Sequence, residues 1–201
     1  MTTKGQAGAI FIGVLVIVGI FALVFIGIYN GLVSKDVDAQ TKWANVQSSY
    51  QRRADLIPNL VATVQGAADF ESGTQTQIAE LRTGATALQQ QVASAKTPED
   101  LQAAQASMSG LIGKINVVVE AYPQLKATEN FKDLQVQLEG TENRIQFERN
   151  NYNTAVKTYA TSVRSFPTNI LANMFGFNAD KWKMFEATPG AETAPKVTFT
   201  N

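Results

Sequence analysis

Cysteine and histidine are both absent from this 201-residue sequence. The lack of cysteine excludes disulfides and thiolate metal sites, and the lack of histidine excludes the common zinc sites and the Ser-His-Asp triad. Acid–base chemistry near neutral pH would therefore depend on carboxylates or lysines. We predict that the protein is not an enzyme, and we identify no catalytic, cofactor-binding or metal-binding residue and no cofactor.

An excess of charge of either sign is also lacking, because 17 basic residues are balanced by 17 acidic residues. The basic residues form no stripe, so the sequence gives no electrostatic reason to expect a nucleic-acid partner. The carboxylates are scattered and fit no substrate-binding motif. We therefore expect neither nucleic acid nor a small-molecule substrate among the partners.

One long apolar run is present at residues 9–28, after a short N-terminal segment of residues 1–8. The run carries no charge, and as a helix it would span roughly 30 Å, the thickness of the hydrocarbon core of a bilayer. A cleaved signal peptide is the competing interpretation, but the run is longer than the apolar part of a typical signal peptide and no A-x-A-like site follows it. We predict one uncleaved transmembrane helix with membrane lipid as a partner. Lys4 before the run and Lys35 and Lys42 after it are nearly balanced, so the positive-inside rule assigns no orientation.

Two sets of small residues flank the centre of this run, each with a spacing of four. Small residues at this spacing allow transmembrane helices to approach one another closely. The alternative is that the glycines are merely tolerated in a lipid-exposed helix, since the central turns lack the pattern. The candidate packing residues are Gly5, Ala9 and Gly13 in the first set and Gly27 and Gly31 in the second.

Small or apolar residues recur at spacings of three and four over residues 39–95. A period of 3.5 held over this length is typical of helices that pack side by side in a left-handed bundle or coiled coil. Ser34 or Asp36 is a suitable N-cap for the first of these helices. Pro58 predicts a kink rather than an end, because the periodicity continues beyond it without a shift. The pattern weakens at residues 69–74, which we interpret as a turn, with one uninterrupted helix as the alternative.

Two further helices follow this region. Thr97 is a strong N-cap candidate, since Pro98 occupies the first helical position and Asp100 has the capping-box spacing. A last long helix keeps the same spacing of apolar residues over residues 131–166. The sequence therefore predicts an all-α fold, in which an N-terminal transmembrane helix precedes an up-and-down antiparallel four-helix bundle. This bundle, with long coiled-coil-like helices, would lie within residues 29–186.

Two charged residues fall among the apolar positions of the first and last long helices. Arg53 lies eighteen positions after Lys35, and Glu148 lies eighteen positions before Phe166, so the two would sit at similar heights. A buried charge needs a partner. We predict an Arg53–Glu148 ion pair in the core of the bundle, with separate outward extension of each side chain as the alternative.

The chain changes character after Phe166, where large apolar residues crowd into a short segment. In an up-and-down bundle this segment returns to the bilayer, where aromatic side chains favour the membrane interface. The plainer interpretation, which we favour, is that the segment closes the open end of the bundle. The candidate interfacial residues are Phe175, Phe177, Trp182 and Phe185. Residues 187–201 contain two prolines and a glycine, which predicts a loose C-terminal tail.

Several short motifs resemble those of the LemA family of bacterial membrane-anchored proteins, and they occur in the family's order from about residue 29 to residue 186. They are Tyr29-Asn30-Gly31-Leu32-Val33, Gln51 to Val61 (QRRADLIPNLV), Tyr122-Pro123-Gln124-Leu125-Lys126-Ala127, Asn130-Phe131 with Leu134-Gln135, Thr141-Glu142, Tyr152-Asn153, Phe166-Pro167 and Phe175-Gly176-Phe177. The sequence departs from the family at Ala54, where members often carry histidine, and in the composition of its tail. The resemblance implies a helical bundle behind one N-terminal transmembrane helix in the bacterial inner membrane, with no established enzymatic activity.

These features favour a membrane-anchored structural or interaction protein. The leading hypothesis is a self-assembling scaffold that forms homo-oligomers and organises or shapes the bacterial membrane. A second hypothesis is a signalling or adaptor module that tethers another membrane protein, such as a protease or a transporter. A carboxylate-based hydrolase is a third and weaker hypothesis, which turnover lost in Glu148→Gln would support.

Overall fold

The computed structural model describes residues 3–66 and 72–186, with side chains from residue 11 to 66 and from 74 to 186. Within these residues the chain is helical and contains no strand, which confirms the all-α class. A 3₁₀ turn, Pro123–Ala127, joins the third helix to the fourth. The helices are α1 (Thr3–Gly66), α2 (Ser72–Ser94), α3 (Pro98–Ala121), α4 (Glu129–Arg164) and α5 (Thr168–Phe175).

Helix α1 is continuous over 64 residues and joins the apolar run to the helical domain. The prediction of a separate helix starting at Ser34 or Asp36 is therefore wrong. Asp36 does not cap a helix; its carboxylate accepts hydrogen bonds from Trp182 Nε1 at 2.8 Å and Lys181 Nζ at 2.7 Å. The side chain that resembled a cap is thus used in a contact with the C-terminal segment.

Pro58 lies inside α1, and the helix continues beyond it for two more turns. The missing N–H of Pro58 removes one backbone hydrogen bond without ending the helix. The prediction that Pro58 does not stop the helix is confirmed, whereas the kink itself stays a prediction.

Helix α2 packs antiparallel to α1. Gln89 Nε2 of α2 donates to Asp55 Oδ1 of α1 at 2.9 Å, and further down Gln47 Nε2 of α1 donates to the carbonyl of Ala95 at 3.0 Å. Helix α2 thus runs back along α1, and residues 67–71, which include part of the predicted turn, lie outside the described residues. The alternative of one uninterrupted helix is therefore wrong.

Helix α1 is the central element, because it contacts α2, α3, α4 and α5. The residues predicted to form the apolar seam are largely buried in one cluster to which α1, α2, α3 and α4 all contribute. Examples from α1 and α2 are Ala39, Val46, Tyr50, Ile57, Leu60, Val64, Ile78, Leu81, Ala85, Leu88 and Val92. The 3-4 periodicity thus identified the buried face correctly, and the closed four-helix arrangement remains a prediction.

The start of α3 is fixed by the predicted capping box. Asp100 N donates to Thr97 Oγ1 at 3.2 Å, and Thr97 N donates to Asp100 Oδ2 at 2.9 Å. Pro98 occupies the first turn, where its missing N–H is not needed. This prediction from local sequence is confirmed at the level of individual hydrogen bonds.

Candidate functional site

The charged residues of the α1–α4 interface form the first candidate site. Arg53 of α1 is buried, with 9% of its side chain exposed, and its Nη1 pairs with Glu142 Oε2 of α4. Gln105 Nε2 of α3 donates to the same carboxylate oxygen at 2.9 Å. Burial lowers the pKa of Arg53, and the nearby Tyr50 opposes this effect. Three helices therefore contribute polar groups to one point of the core.

The predicted Arg53–Glu148 ion pair is corrected by the structure, which gives Glu148 a different partner. Glu148 has 3% of its side chain exposed, and Arg144 Nη2, one turn earlier in α4, approaches its Oε1 to 2.6 Å. Arg53 and Glu148 are thus both buried as expected, but Arg53 pairs with Glu142 and Glu148 pairs with Arg144. The sequence pattern placed Glu148 on the inner face of α4 and gave no sign that Glu142 also reaches inward.

The physical reason for this correction is the axial register of α1 against α4. The rings of Trp43 and Tyr152 are in contact, with centroids 5.3 Å apart. Arg53 lies ten positions after Trp43, and Glu142 lies ten positions before Tyr152. In an antiparallel pair these residues lie at the same height, whereas Glu148 lies six positions, or about 9 Å, away.

Two grooves flank this interface. One of about 510 Å³ is lined by Arg53, Leu60, Ile112, Asn116, Gln135, Leu138, Glu139, Glu142 and Asn143. The other, of about 430 Å³, is lined by Asn45, Ser48, Ser49, Arg52, Thr141, Arg144 and Glu148. Both offer amides, hydroxyls and charged groups that can bind polar molecules. Within the part of the chain that the structure describes, no three metal-ligating side chains gather into a group that could hold an ion.

A buried aromatic cluster lies beside the charged interface and includes the end of the C-terminal segment. Phe185 is buried, and its ring contacts those of Trp43 and Tyr152 at centroid distances of 6.1 and 5.7 Å. Asn153 binds its backbone twice: Phe185 N donates to Asn153 Oδ1 at 2.8 Å, and Asn153 Nδ2 donates to the Phe185 carbonyl at 3.0 Å. The guanidinium of Arg149 lies 4.6 Å from the centroid of the Phe185 ring.

The predicted interfacial aromatic residues are therefore divided between two environments. Phe185 is part of the core and Trp182 packs against it, so these two residues do not form the interfacial anchor. Phe175 and Phe177 instead contact Tyr29 near the end of the apolar run, with centroid distances of 5.0 and 5.9 Å. The packing of the first pair agrees with the capping interpretation, and the second pair packs beside the end of the apolar run.

Gly176 produces the turn that separates the two environments. Its φ of 77° lies in the left-handed region, which a glycine adopts without strain. The turn lets Phe177 N donate to the Ala172 carbonyl at 2.9 Å. Phe177 is thereby brought back towards Tyr29.

The second candidate site is a groove of about 390 Å³ beside the end of the apolar run of α1. Gly27 and Gly31 line it, facing hydroxyl-bearing residues at the end of α4 and the start of α5. A Cβ atom at Gly13, Gly27 or Gly31 would meet no atom within 4 Å, so these positions form no close helix contact inside the described chain. Gly5 and Ala9 fall outside the residues whose side chains are described. Packing of the small residues against another helix stays a prediction.

Helix α1 is long and apolar enough near the N-terminus to cross a membrane, and no described side chain of the apolar stretch is buried. A sequence profile of the LemA family matches residues 42–199. Magnetosome protein MamQ 2 of Paramagnetospirillum magneticum is 29% identical over 189 residues, which cover 85% of this chain and 68% of that protein. Magnetosome protein MamQ of Magnetospirillum gryphiswaldense is 25% identical over the same length and the same shares of the two chains.

Protein LemA of Metamycoplasma hominis is 24% identical over 155 residues, covering 77% of this chain and 68% of that protein. The family match extends over most of the chain and includes the motifs around Arg53, Tyr122, Tyr152 and Phe175. The long apolar helix and these relatives indicate a membrane location. The chain belongs to the LemA family.

Proposed function

We propose that this protein is a single-pass scaffold of the bacterial inner membrane, which self-associates and thereby organises or shapes the bilayer around it. The observation that carries the proposal is the continuity of α1, in which the exposed apolar stretch and the buried helical core belong to one helix. A helical domain held in this way keeps a fixed orientation to its own membrane anchor. Copies anchored in one membrane would therefore share the same orientation and could contact one another through the same helix faces.

Several features support an assembly role. The match to relatives named as magnetosome proteins favours participation in a bacterial assembly. The antiparallel packing of α2 and α4 on α1 supports an up-and-down four-helix arrangement with coiled-coil-like helices. The faces of Gly13 and Gly27 are open, so a second copy of α1 could approach them closely in the membrane.

Reconstitution of the full chain in liposomes tests this proposal. Copies labelled with donor and acceptor fluorophores should show energy transfer that grows with the protein-to-lipid ratio and falls when unlabelled protein is added. Gly13→Leu should reduce the transfer, because the larger side chain prevents close approach. Gly19→Leu is the matched control, since Gly19 is equally open but lies outside the small-residue spacing. A chain that stays monomeric at every ratio and leaves liposome shape unchanged would contradict the proposal.

An adaptor that tethers another membrane protein is the alternative function. Val117, Val136 and Phe147 of α3 and α4 are exposed apolar side chains that such a partner could cover. Crosslinking in native membranes discriminates between the two functions, since a scaffold should recover mainly itself and an adaptor mainly a different protein. The absence of enzymatic activity stays a prediction, and turnover that is lost in Glu148→Gln would contradict it.

A further inference from the structure

Helix α5 crosses α1 at the end of the apolar run. Thr168, at the start of α5, lines the groove with Gly27 and Gly31. Phe175, at the end of α5, lines a different groove of about 450 Å³ with Tyr29 and residues earlier in the run. These two grooves lie on different faces of α1, because residues 27 and 31 are separated from residue 29 by about half a turn. An α5 that reaches both faces must lie across α1 rather than along it.

The depth of α5 follows from the residues of α1 that it meets. The groove beside Phe175 is lined by Ala22, Phe25, Ile26 and Tyr29, and nearly all of its wall is apolar. Ala22 lies six positions before Ile28, the last residue of the uncharged run, which corresponds to about 9 Å along the helix. If α1 spans the bilayer, this groove lies within the outer part of the hydrocarbon region.

The two faces of α5 differ sharply. Leu171 and Ala172 are buried, and Ala172 packs in a cluster with Leu32 and Tyr159. On the other side Ile170 is 57% exposed and Met174 is 62% exposed. Helix α5 carries no charged residue. An uncharged helix that leaves large apolar side chains exposed at the level of a membrane needs an apolar environment to cover them.

The neighbouring apolar residues extend the same surface. Phe166, two positions before α5, is 81% exposed, and Phe175, at its end, is 51% exposed. The cation at the end of α4 is already paired, since Arg164 Nη2 contacts Asp180 Oδ1 at 2.8 Å. Attraction to anionic lipid is thus not needed to hold this surface at a bilayer, because apolar burial alone favours it.

We infer that α5 is an interfacial helix that inserts Phe166, Ile170, Met174 and Phe175 into the leaflet next to the helical domain, where phospholipid acyl chains fill the groove between Phe175 and α1. The chain then contacts the bilayer at two places, through a spanning segment and through a short helix lying across it. This inference rests on the membrane anchoring in the proposed function. The occupant is lipid rather than protein, because the groove continues the apolar surface of the run itself.

The absence of cysteine allows a direct test with single-cysteine variants of the full chain. Met174→Cys, labelled with an environment-sensitive fluorophore, is reconstituted in phosphatidylcholine vesicles with and without brominated acyl chains. The label should emit at shorter wavelength than in water and lose intensity with brominated lipid. Val136→Cys is the matched control, since Val136 is a similarly exposed apolar residue on a helix far from the boundary. Its label should show neither effect.

Two further variants separate the possible outcomes. Leu15→Cys reports on α1 itself, because Leu15 lies inside the apolar run. Quenching at residue 15 without quenching at residue 174 overturns the inference and leaves the membrane anchor intact, whereas no quenching at residue 15 refutes the anchor as well. A shift to shorter wavelength at residue 174 without quenching by brominated lipid means that protein covers α5, which also overturns the inference. Ile170→Asp should reduce the quenching at residue 174, while circular dichroism reports whether the variant keeps its helices.

Discussion

The pairing of Arg53 with Glu142 predicts an unequal response to removal of either charge. Arg53 is almost completely buried, whereas about a third of the Glu142 side chain is exposed. Glu142→Gln leaves a buried guanidinium without its carboxylate, next to the apolar side chains of Leu60 and Leu138. Arg53→Met leaves a carboxylate that already reaches water and keeps its hydrogen bond from Gln105. The first substitution should therefore be much more destabilising than the second.

The magnitude follows from the surroundings of the two groups. Removing one partner of a fully buried ion pair costs about 3–5 kcal/mol. The groove beside Arg53 admits water, so we expect Glu142→Gln to cost about 2–3 kcal/mol, below or at the lower end of that range. Arg53→Met replaces the charge with an apolar side chain of similar length, so we expect a change within about 1 kcal/mol. The double variant should be about as stable as Arg53→Met alone, because it contains no unpaired buried charge.

Urea unfolding of the full chain in detergent micelles, followed by far-ultraviolet circular dichroism, measures these differences. The dependence of the unfolding free energy on urea concentration should stay constant across the four proteins, so that midpoints can be compared. Glu139→Gln is a suitable control, since Glu139 lines the same groove but is exposed. Equal costs for Glu142→Gln and Arg53→Met, or a more destabilising Arg53→Met, would refute the explanation from unequal burial.

Three other predictions concern titration and packing. Burial raises the pKa of Tyr152 to about 12, so protonated Tyr152 stabilises the fold fully below the unfolded pKa of about 10, and this contribution is lost as pH rises towards 12. Tyr152→Phe should therefore lose less stability over this range. The wild type should show a tyrosinate absorbance step near pH 12 that the variant lacks. Hydrogen bonds from the backbone lower the pKa of Asp100, so its contribution to stability is complete above about pH 4 and is lost as pH falls through the folded pKa. The urea midpoint of Asp100→Asn should therefore fall less steeply with decreasing pH than that of the wild type. An equal dependence of the two midpoints on pH would contradict this. Gly140 lies in open space within α4, so Gly140→Ala should stabilise the protein by roughly 0.5–1 kcal/mol. Gly84→Val should destabilise the protein by about 1–3 kcal/mol, because a Cβ at this position lies 2.7 Å from Leu111 Cδ2. Thermal unfolding compares the two glycine variants, and similar changes in both would contradict the contact at Gly84.

Local and periodic features of this protein could be predicted from its sequence. The buried face of α1 and α2 follows from the 3-4 spacing, because side chains at that spacing share one side of a helix. The start of α3 follows from Thr97 and Asp100, whose hydrogen bonds involve only neighbouring residues. Each of these predictions depends on contacts within a few turns of one helix.

Features set by contacts between distant residues could not be predicted in the same way. Periodicity gives the direction in which Glu148 points but not its height relative to α1, so it does not identify the partner of Glu148. Asp36 has the composition of an N-cap, but its partners are Lys181 and Trp182, which lie about 145 positions later in the chain. The burial of Phe185 could not be predicted for the same reason, because it depends on contact with Trp43, which lies far away in the sequence.

The continuity of α1 has a mechanical consequence. From Ile28 to Ile57, just before Pro58, the helix extends for 29 positions, or about 44 Å, beyond the apolar run. A change of about 10° in the tilt of the membrane-spanning part would move Ile57 sideways by about 8 Å, and tilts of this size accompany ordinary differences in bilayer thickness. Because α2 and α4 are packed along the same helix, they move with it. In the proposed scaffold, α1 would therefore act as a lever that converts small changes in bilayer thickness into displacements large enough to change the contacts between neighbouring molecules.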